Sequence, residues 1–442
     1  MLTVLVFAIT LGILVFVHEL GHFLVARKNG IRAEEFGFGF PPRIFGFQVL
    51  RGKKMRKVAE KEDVSIEISD KKKGNTEVIE EIISDKIIEV DELVSVKKYR
   101  FIWGKRNTDK EWENKENLEE GTIYSINWIP LGGFVRIKGE DGSDKKDKDS
   151  FSGKPSWVRV KVLGAGIIMN FVLAWFAISL GLFIGSPQAL DDGQSGKDSK
   201  IQIAQVISGT PAEKMGIKAG DEIVGCDPPA GGDIPECQQN FSSISDVQNL
   251  INGRRGQEII LEIKRGKESL TLKGEPRVDY PEDQGALGIS LVRTAVVSYP
   301  WYEAIYKGLT TVFNLIWLIA ATLFSIIKDL IVGQKVSVDV SGPIGIAYLT
   351  KQVTDLGFTY ILQFIALLSI NLGIINGLPF PALDGGRILF ILIEKIKGKP
   401  VSQKVEQFAH TFGFIALIVL MILVTFKDLM RFDILDKIKN LF

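Results

Sequence analysis

The stretch Val15-Phe16-Val17-His18-Glu19-Leu20-Gly21-His22-Phe23-Leu24 decides how this chain is read. It contains H-E-x-x-H inside an apolar run that begins at Met1. Positions i and i+4 of a helix share one face, so His18 and His22 can offer two imidazole nitrogens to one metal ion. Glu19 lies beside them, placed to take a proton from a metal-bound water. With only three histidines in the chain, random placement gives this pattern on the order of once in a thousand sequences. The bland alternative is a pair of histidines satisfied at a helix end. A carboxylate and two imidazoles are costly in an apolar helix of bilayer length, which favours a functional role.

The chain has 442 residues and a formal net charge of +1, a balance that gives no reason to expect a nucleic-acid partner. Apolar runs of bilayer length alternate with charged, glycine-rich stretches. That is the pattern of a polytopic membrane protein with soluble inserts. The first run lacks a basic segment before it and a small-x-small cleavage site before Arg27, so we expect a retained span rather than a signal peptide. Cys226 and Cys237 lack zinc-ligand spacing. An extracytoplasmic disulfide and two free thiols both remain open.

In chain order, residues 1–27 form the expected first transmembrane helix. Arg27, Lys28, Arg32 and Arg43 follow it and no positive side chain precedes it, which places its C-terminal end in the cytoplasm. Residues 28–160 read as a cytoplasmic β region that dips into the membrane. It opens on the aromatic–glycine alternation of residues 35–42 and contains a Lys/Glu/Asp-rich insert at 51–121 with imperfect strand alternation, as in Thr76-Glu77-Val78-Ile79-Glu80-Glu81-Ile82-Ile83. Residues 122–137 place two β-prone runs around Pro130-Leu131-Gly132-Gly133, the signal of a hairpin. It is apolar enough to re-enter the membrane, where strand backbone must be shielded by protein or line a wet cavity. A charged loop at 141–149 leads to a second span at 161–186, with Arg159 and Lys161 at its start. Gly164-Ala165-Gly166 permits close helix contact there, and Asn170 reads as a packing hydrogen bond or as a residue facing the site.

Residues 199–292 turn soluble. Ser208-Gly209-Thr210-Pro211-Ala212-Glu213, Gly216-Ile217-Lys218-Ala219-Gly220-Asp221-Glu222-Ile223, Ser245-Asp246-Val247-Gln248-Asn249-Leu250-Ile251 and 256–266 together resemble a PDZ (α+β) domain. Such domains take extended peptides, often C-termini, by strand addition; a PDZ fold acting only as a steric plug is the competing reading. Residues 300–357 are expected to form a membrane-surface helix and tether. Although 308–327 is long enough to span, a further crossing would put Asp384 on the wrong side of the membrane. Residues 358–400 hold the third span and the turn Asn376-Gly377-Leu378-Pro379-Phe380-Pro381-Ala382-Leu383-Asp384-Gly385-Gly386, where Pro379 and Pro381 break the helical ladder. Residues 408–428 form the fourth span, and His410 at its start reads as an interfacial side chain rather than a ligand.

A catalytic zinc has three protein ligands and an open position for water. Asp384, at the membrane end of a broken helix, is the natural third beside His18 and His22, although Asp-Gly is also an ordinary turn pair. The H-E-x-x-H, the PDZ-like insert, Ser341-Gly342-Pro343-Ile344-Gly345-Ile346 and N-x-x-P-x-P-x-L-D-G-G resemble the site-2 protease family, of the regulator-of-sigma-E type, over nearly the whole chain. The resemblance implies Zn2+ on His18, His22 and Asp384, and Glu19 as catalytic base. It also implies substrate contacts at Asn376, in the broken turn with Pro379 and Pro381, and along the hairpin of Gly132 and Gly133. The implied activity is intramembrane cleavage of single-span membrane proteins, such as anti-sigma-factor-like regulators or remnant signal peptides. The implied setting is the bacterial inner membrane, with the PDZ domain outside the cytoplasm. Family members often carry two PDZ domains in tandem; here one is found, and the 51–121 insert is unusually long. A non-enzymatic PDZ adaptor with a structural metal is one rival, and a metal transporter is the other. The expected fold is four transmembrane helices, a re-entrant β-hairpin and one PDZ domain.

Overall fold

The computed structural model describes residues 2–61, 87–104, 119–189, 199–227, 241, 243–266, 268–281, 284–333 and 342–431. Helix α1 (Leu2–Lys28) runs through the first apolar segment and stops where Arg27-Lys28-Asn29 meets Gly30 at φ +65°. The Asn29 side chain donates to the Val25 carbonyl at 2.8 Å, satisfying one of the end carbonyls that a helix leaves open. Strands β1 (Ala33–Lys61), β2 (Ile87–Trp103) and β3 (Glu119–Ile137) follow.

The pairing of β1 with β3 differs from a simple hairpin at 122–137. Gly37 pairs with Ser125 on one side and Phe134 on the other, and Ile126 pairs with both Phe38 and Phe45. A strand has only two edges. The first arm of β1 therefore lies between the two arms of β3, and the first arm of β3 lies between the two arms of β1. β2 then adds outside β1's second arm, from Phe45↔Trp103 to Lys61↔Ile87. The hairpin signal located the strands and the turn correctly, but it could not show that a distant arm slots between them. Residues 133–137 are left as the free edge of this sheet among the described residues. The 76–83 segment lies outside the described residues.

One face of the sheet packs on α1. Phe36 stacks on Phe23 with centroids 4.6 Å apart and meets Phe16 at 5.2 Å. The turn reaches well up the helix: Gly132 at φ +110° lies against Val15, and Phe38 and the Pro130 carbonyl lie over Gly12.

Helix α2 (Ser156–Ile184) begins after Pro155, which cannot extend a helix backwards, and ends at Gly185. It is the centre of the helical body. A Cβ at Gly21 of α1 would stand 2.4 Å from the Ala165 carbonyl oxygen, so α1 and α2 meet backbone to backbone. The chain then forms β4 (Ser186–Ala189), β5 (Lys200–Val206), α3 (Pro211–Lys214), β6 (Glu222–Asp227), α4 (Ile244–Gly253), β7 (Ile259–Arg265), β8 (Glu268–Gly274) and β9 (Ile289–Val297). These strands build one antiparallel sheet in the order β4-β9-β5-β6-β7-β8. Its core includes Ile203, Leu261, Ile263, Val247 and Leu287. Ser243 and Asp246 close a reciprocal cap at the start of α4. Cys226 is buried and disulfide-bonded; Cys237 lies outside the described residues.

Helices α5 (Trp301–Val332), α6 (Pro343–Leu356), α7 (Phe358–Gly377), α8 (Asp384–Lys397) and α9 (Gln403–Arg431) complete the chain. α1, α2, α5, α7 and α9 are long and apolar enough to cross a membrane, and the chain is a multi-pass membrane protein. Its two ends are distinct. At one, the Tyr299 amide donates to the Leu182 carbonyl, Gln363 donates to Ser186, and Leu356 packs on Gly220 of the six-stranded domain. Asp428 near the end of α9 accepts the amides of Gly342 and Gly345 at 2.9 and 2.8 Å, which ties the start of α6 to that same end. At the other end lie Arg27 and Lys28, the Arg159–Glu394 ion pair at 3.0 Å, and Gln403 donating to the Gly142 carbonyl.

Candidate active site

His18 and His22 lie on the buried face of α1, at 7% and 6% exposure. Asp384 is brought to them by the end of α7. The two Nε2 atoms are 3.1 Å apart, and Asp384 Oδ2 is 3.1 Å from one and 3.3 Å from the other. Zinc held at about 2.0–2.1 Å by tetrahedral ligands would separate them by about 3.3–3.4 Å. The three donor atoms already stand at nearly that spacing. Asp384 Oδ2 is buried, and beyond the two imidazoles it has no hydrogen-bond partner among the described residues, which leaves it available to a metal. Among the described residues this is the one His/Cys/Asp/Glu cluster of ligand geometry.

Helix α2 prepares both imidazoles from behind. His22 Nδ1 donates to the Val162 carbonyl at 2.8 Å. That fixes the tautomer and leaves the Nε2 lone pair for a metal. Asn170, fully buried on α2, stands 3.1 Å from His18 Nδ1. A metal on Nε2 puts the proton on Nδ1, so the amide oxygen of Asn170 is the atom that must face it. Of the two roles open to Asn170, the structure selects the site. Between them, Gly166 leaves the room: a Cβ there would lie 2.4 Å from His22 Nε2 and 2.8 Å from His18 Cε1. In the sequence Gly166 was visible only as a small packing residue.

The break between α7 and α8 aims Asp384. The last turn of α7 closes with Leu378 N–H on the Ile375 carbonyl, and α8 begins at Asp384. Ala382 adopts φ +77°, a left-handed conformation that costs an alanine about 1–2 kcal/mol. His410 of α9 holds it there, accepting the Ala382 amide on Nδ1 at 2.9 Å. Gly413 lies against Pro381, and Gly385 and Gly386 pass against the carbonyls of Leu378 and Phe380, approaches that a Cβ would prevent. His410 stands outside the cluster of His18, His22 and Asp384; it braces the turn that carries Asp384, a role with no sequence signal.

Glu19 lines a cavity of about 200 Å³ together with His18, His22, Val135, Ala382 and Asp384. That space holds several waters, at about 30 Å³ each. Phe134, Val135 and Ile137 of the free strand edge form one wall, and the Arg387–Glu140 ion pair forms another. Gly132 and Gly133 pack on Val15 and Phe16, one turn of α1 before His18. Asn376 is half-buried on the last turn of α7 and Pro379 is exposed; no hydrogen bond among the described residues joins Asn376 to the histidines.

The profile of peptidase family M50 matches residues 6–56 and 113–420 of the chain. The chain is 30% identical to a protein named regulator of sigma-W protease RasP, from Bacillus subtilis, over 97% of its own length and 98% of that protein's. It is 31% identical to a zinc metalloprotease RasP of Bacillus licheniformis, over 97% and 99% of the two lengths. It is 30% identical to a putative zinc metalloprotease of Clostridium perfringens, over 94% and 95%. With His18, His22 and Asp384 drawn together among apolar helices and a match over nearly the full length, the chain belongs to peptidase family M50, the site-2 proteases.

Proposed function

We propose that this zinc metalloprotease cleaves the transmembrane segments of single-span membrane proteins, of the anti-sigma-factor or remnant-signal-peptide kind. The observation that carries the reading is the triangle of His18, His22 and Asp384 at bilayer depth. His18 lies ten residues from the basic end of α1, or about 15 Å along the helix, within a hydrocarbon core of about 30 Å. His18, His22 and Asp384 would hold the zinc, which when bound would supply Lewis acidity and a more acidic water. Glu19, beside them, accepts the proton of the attacking water and passes it to the leaving amine.

A peptide bond in a helix is internally hydrogen-bonded and must be freed first. The free edge of β3 at residues 133–137, beside the metal cavity, can receive the unwound backbone by strand addition, with Gly132 and Gly133 setting its approach to α1. Asn376 and the Pro379–Pro381 turn are assigned the other side of the substrate.

We place four crossings, at α1, α2, α7 and α9, with the six-stranded domain outside the cytoplasm in the bacterial inner membrane. α5 starts beside Leu182, at the end that carries this domain, and the chain is back at that end at Gly342, on Asp428. Nine residue steps separate Gly333 from Gly342, at most about 32 Å of extended chain. A return through about 30 Å of hydrocarbon in those steps would leave its backbone groups unsatisfied in lipid. The six-stranded domain is assigned as the PDZ module. Among the described residues, 289–293 of β9 keep an edge free of strand partners, and β4 takes the rest of that edge; a short peptide C-terminus fits the remaining groove. Against the adaptor alternative, a structural zinc is closed by four ligands, and three are found here among the described residues.

The test is Glu19→Gln. It keeps the ligand set, so zinc content should match the wild type. It removes the base, so cleavage of a single-span substrate should fall by about 10²–10⁴-fold, and uncut substrate should co-purify. Undiminished cleavage by a zinc-loaded variant would remove Glu19 from the mechanism and favour the adaptor.

A further inference from the structure

The face of the three-stranded sheet turned away from α1 lines a second and larger cavity of about 820 Å³. Charged and polar side chains stand on its wall, among them Arg32, Glu35, Arg43 and Lys138. Gln48 and Asn127 face it and are almost fully buried, at 1% and 3% exposure. Their amide orientations are set: Gln48 Nε2 donates to the Gly121 carbonyl at 2.8 Å, and Asn127 Nδ2 to the Gly39 carbonyl at 2.9 Å. Gln48 Oε1 and Asn127 Oδ1 are therefore the atoms left over, and both are buried without a partner among the described residues. Arg43 gives Nε and Nη2 to Glu35 and keeps a buried, unpartnered Nη1; Arg32 keeps an unpartnered Nε. A buried polar group left unmatched is destabilising. Four such atoms on one cavity wall describe a site with two acceptors and two donors for an occupant.

The register spaces them. Gln48 lies opposite Ile123 and Arg43 opposite Asn127, so the two ends of the row are about 13–17 Å apart at about 3.3 Å per residue. The carboxylates of Glu34, Glu35 and Glu120 nearly offset the cations on the lining, so an anion such as a nucleotide gains little there. The matching chemistry is a neutral chain that alternates N–H and C=O, an extended polypeptide. The cavity also adjoins the metal cavity through shared lining. Phe134 lines both cavities, and an intermediate groove shares Glu140 and Arg387 with the metal cavity and Arg136 and Lys138 with the larger one.

We propose that this cavity is a second substrate site, which binds the extended backbone of the substrate segment on the cytoplasmic side of the scissile bond after it leaves the β3 edge. The proposal rests on the intramembrane protease reading. It is tested with Glu19→Gln protein and a single-span substrate carrying a photoreactive amino acid stepped from two to ten residues on the cytoplasmic side of the cleavage point. Crosslinks from the more distant positions should fall on residues 43–48 and 123–127. In otherwise wild-type protein, the ratio of kcat/KM for this substrate to that for one truncated just past the cleavage point should be about tenfold or more. Gln48→Leu and Asn127→Leu, checked for zinc content and melting temperature, should bring that ratio toward one. Retained substrate with crosslinks confined to the β3 edge and the helices, or a ratio unmoved in zinc-loaded variants, would overturn the second site while leaving the protease reading intact. Failure of Glu19→Gln to retain substrate, with no cleavage by wild type, would overturn both. A cavity filled by water alone belongs to the first of these outcomes.

Discussion

Gly166 has no side chain, yet the metal site depends on it. Its α-carbon faces both imidazoles, and α2 cannot withdraw because Gly21 holds it against α1 at Ala165. Gly166→Ala is expected to reduce bound zinc to less than a tenth of the wild-type content, measured on the purified protein. Gly164→Ala, two residues away with open space around it, should retain its zinc and is the matched control. Asn170 acts through His18 rather than on substrate. Asn170→Leu should weaken zinc affinity about 10–100-fold, whereas Asn170→Asp, which still accepts from Nδ1, should keep most of it. Equal losses in the two variants would point to packing rather than orientation. Replacing His18, His22 or Asp384 by alanine should abolish zinc binding and cleavage together.

At the scale of elements, the junction between α7 and α8 is held from outside by α9. His410→Ala removes the acceptor of the Ala382 amide and should loosen the Asp384 turn, lowering zinc affinity with less effect on overall melting. His410→Asn can accept the same amide and should recover part of the loss. α5 is a separate question of topology, since its length and composition fit a crossing while its start and the start of α6 lie at the same end. A cysteine introduced at Gly333 should be labelled by an impermeant thiol reagent from the side that carries the six-stranded domain. Labelling from the cytoplasmic side alone would establish a fifth crossing and break the four-span scheme.

For the whole molecule, the ligands are mounted on preformed helices. His22 is fixed by Val162, His18 by Asn170, and the Asp384 turn by His410 and Gly413. Chelation of zinc is therefore expected to abolish cleavage while leaving helix content by circular dichroism nearly unchanged, with activity restored on adding zinc back. A large loss of helix on chelation would show that the metal organises the bundle instead.

The sequence by itself located the candidate site and the outline of the body. H-E-x-x-H sets two imidazoles on one face with a carboxylate beside them because helical periodicity places i and i+4 together whatever lies around them. The proline-broken run before Asp384 announces an opened backbone because proline lacks the amide that a helix needs. Apolar length marked α1, α2, α5, α7 and α9, and the β-prone runs around Pro130-Leu131-Gly132-Gly133 marked two strand arms. Tertiary structure alone decided which partners meet. The arms at 122–137 pair with β1's first arm instead of with each other, since strand propensity says nothing of which chain fills an edge. Asn170 faces His18, Gly166 makes room for both imidazoles, and His410 braces a turn 28 residues before it. Each of these contacts joins separate helices, and its energy comes from close approach in three dimensions, which local spacing does not encode.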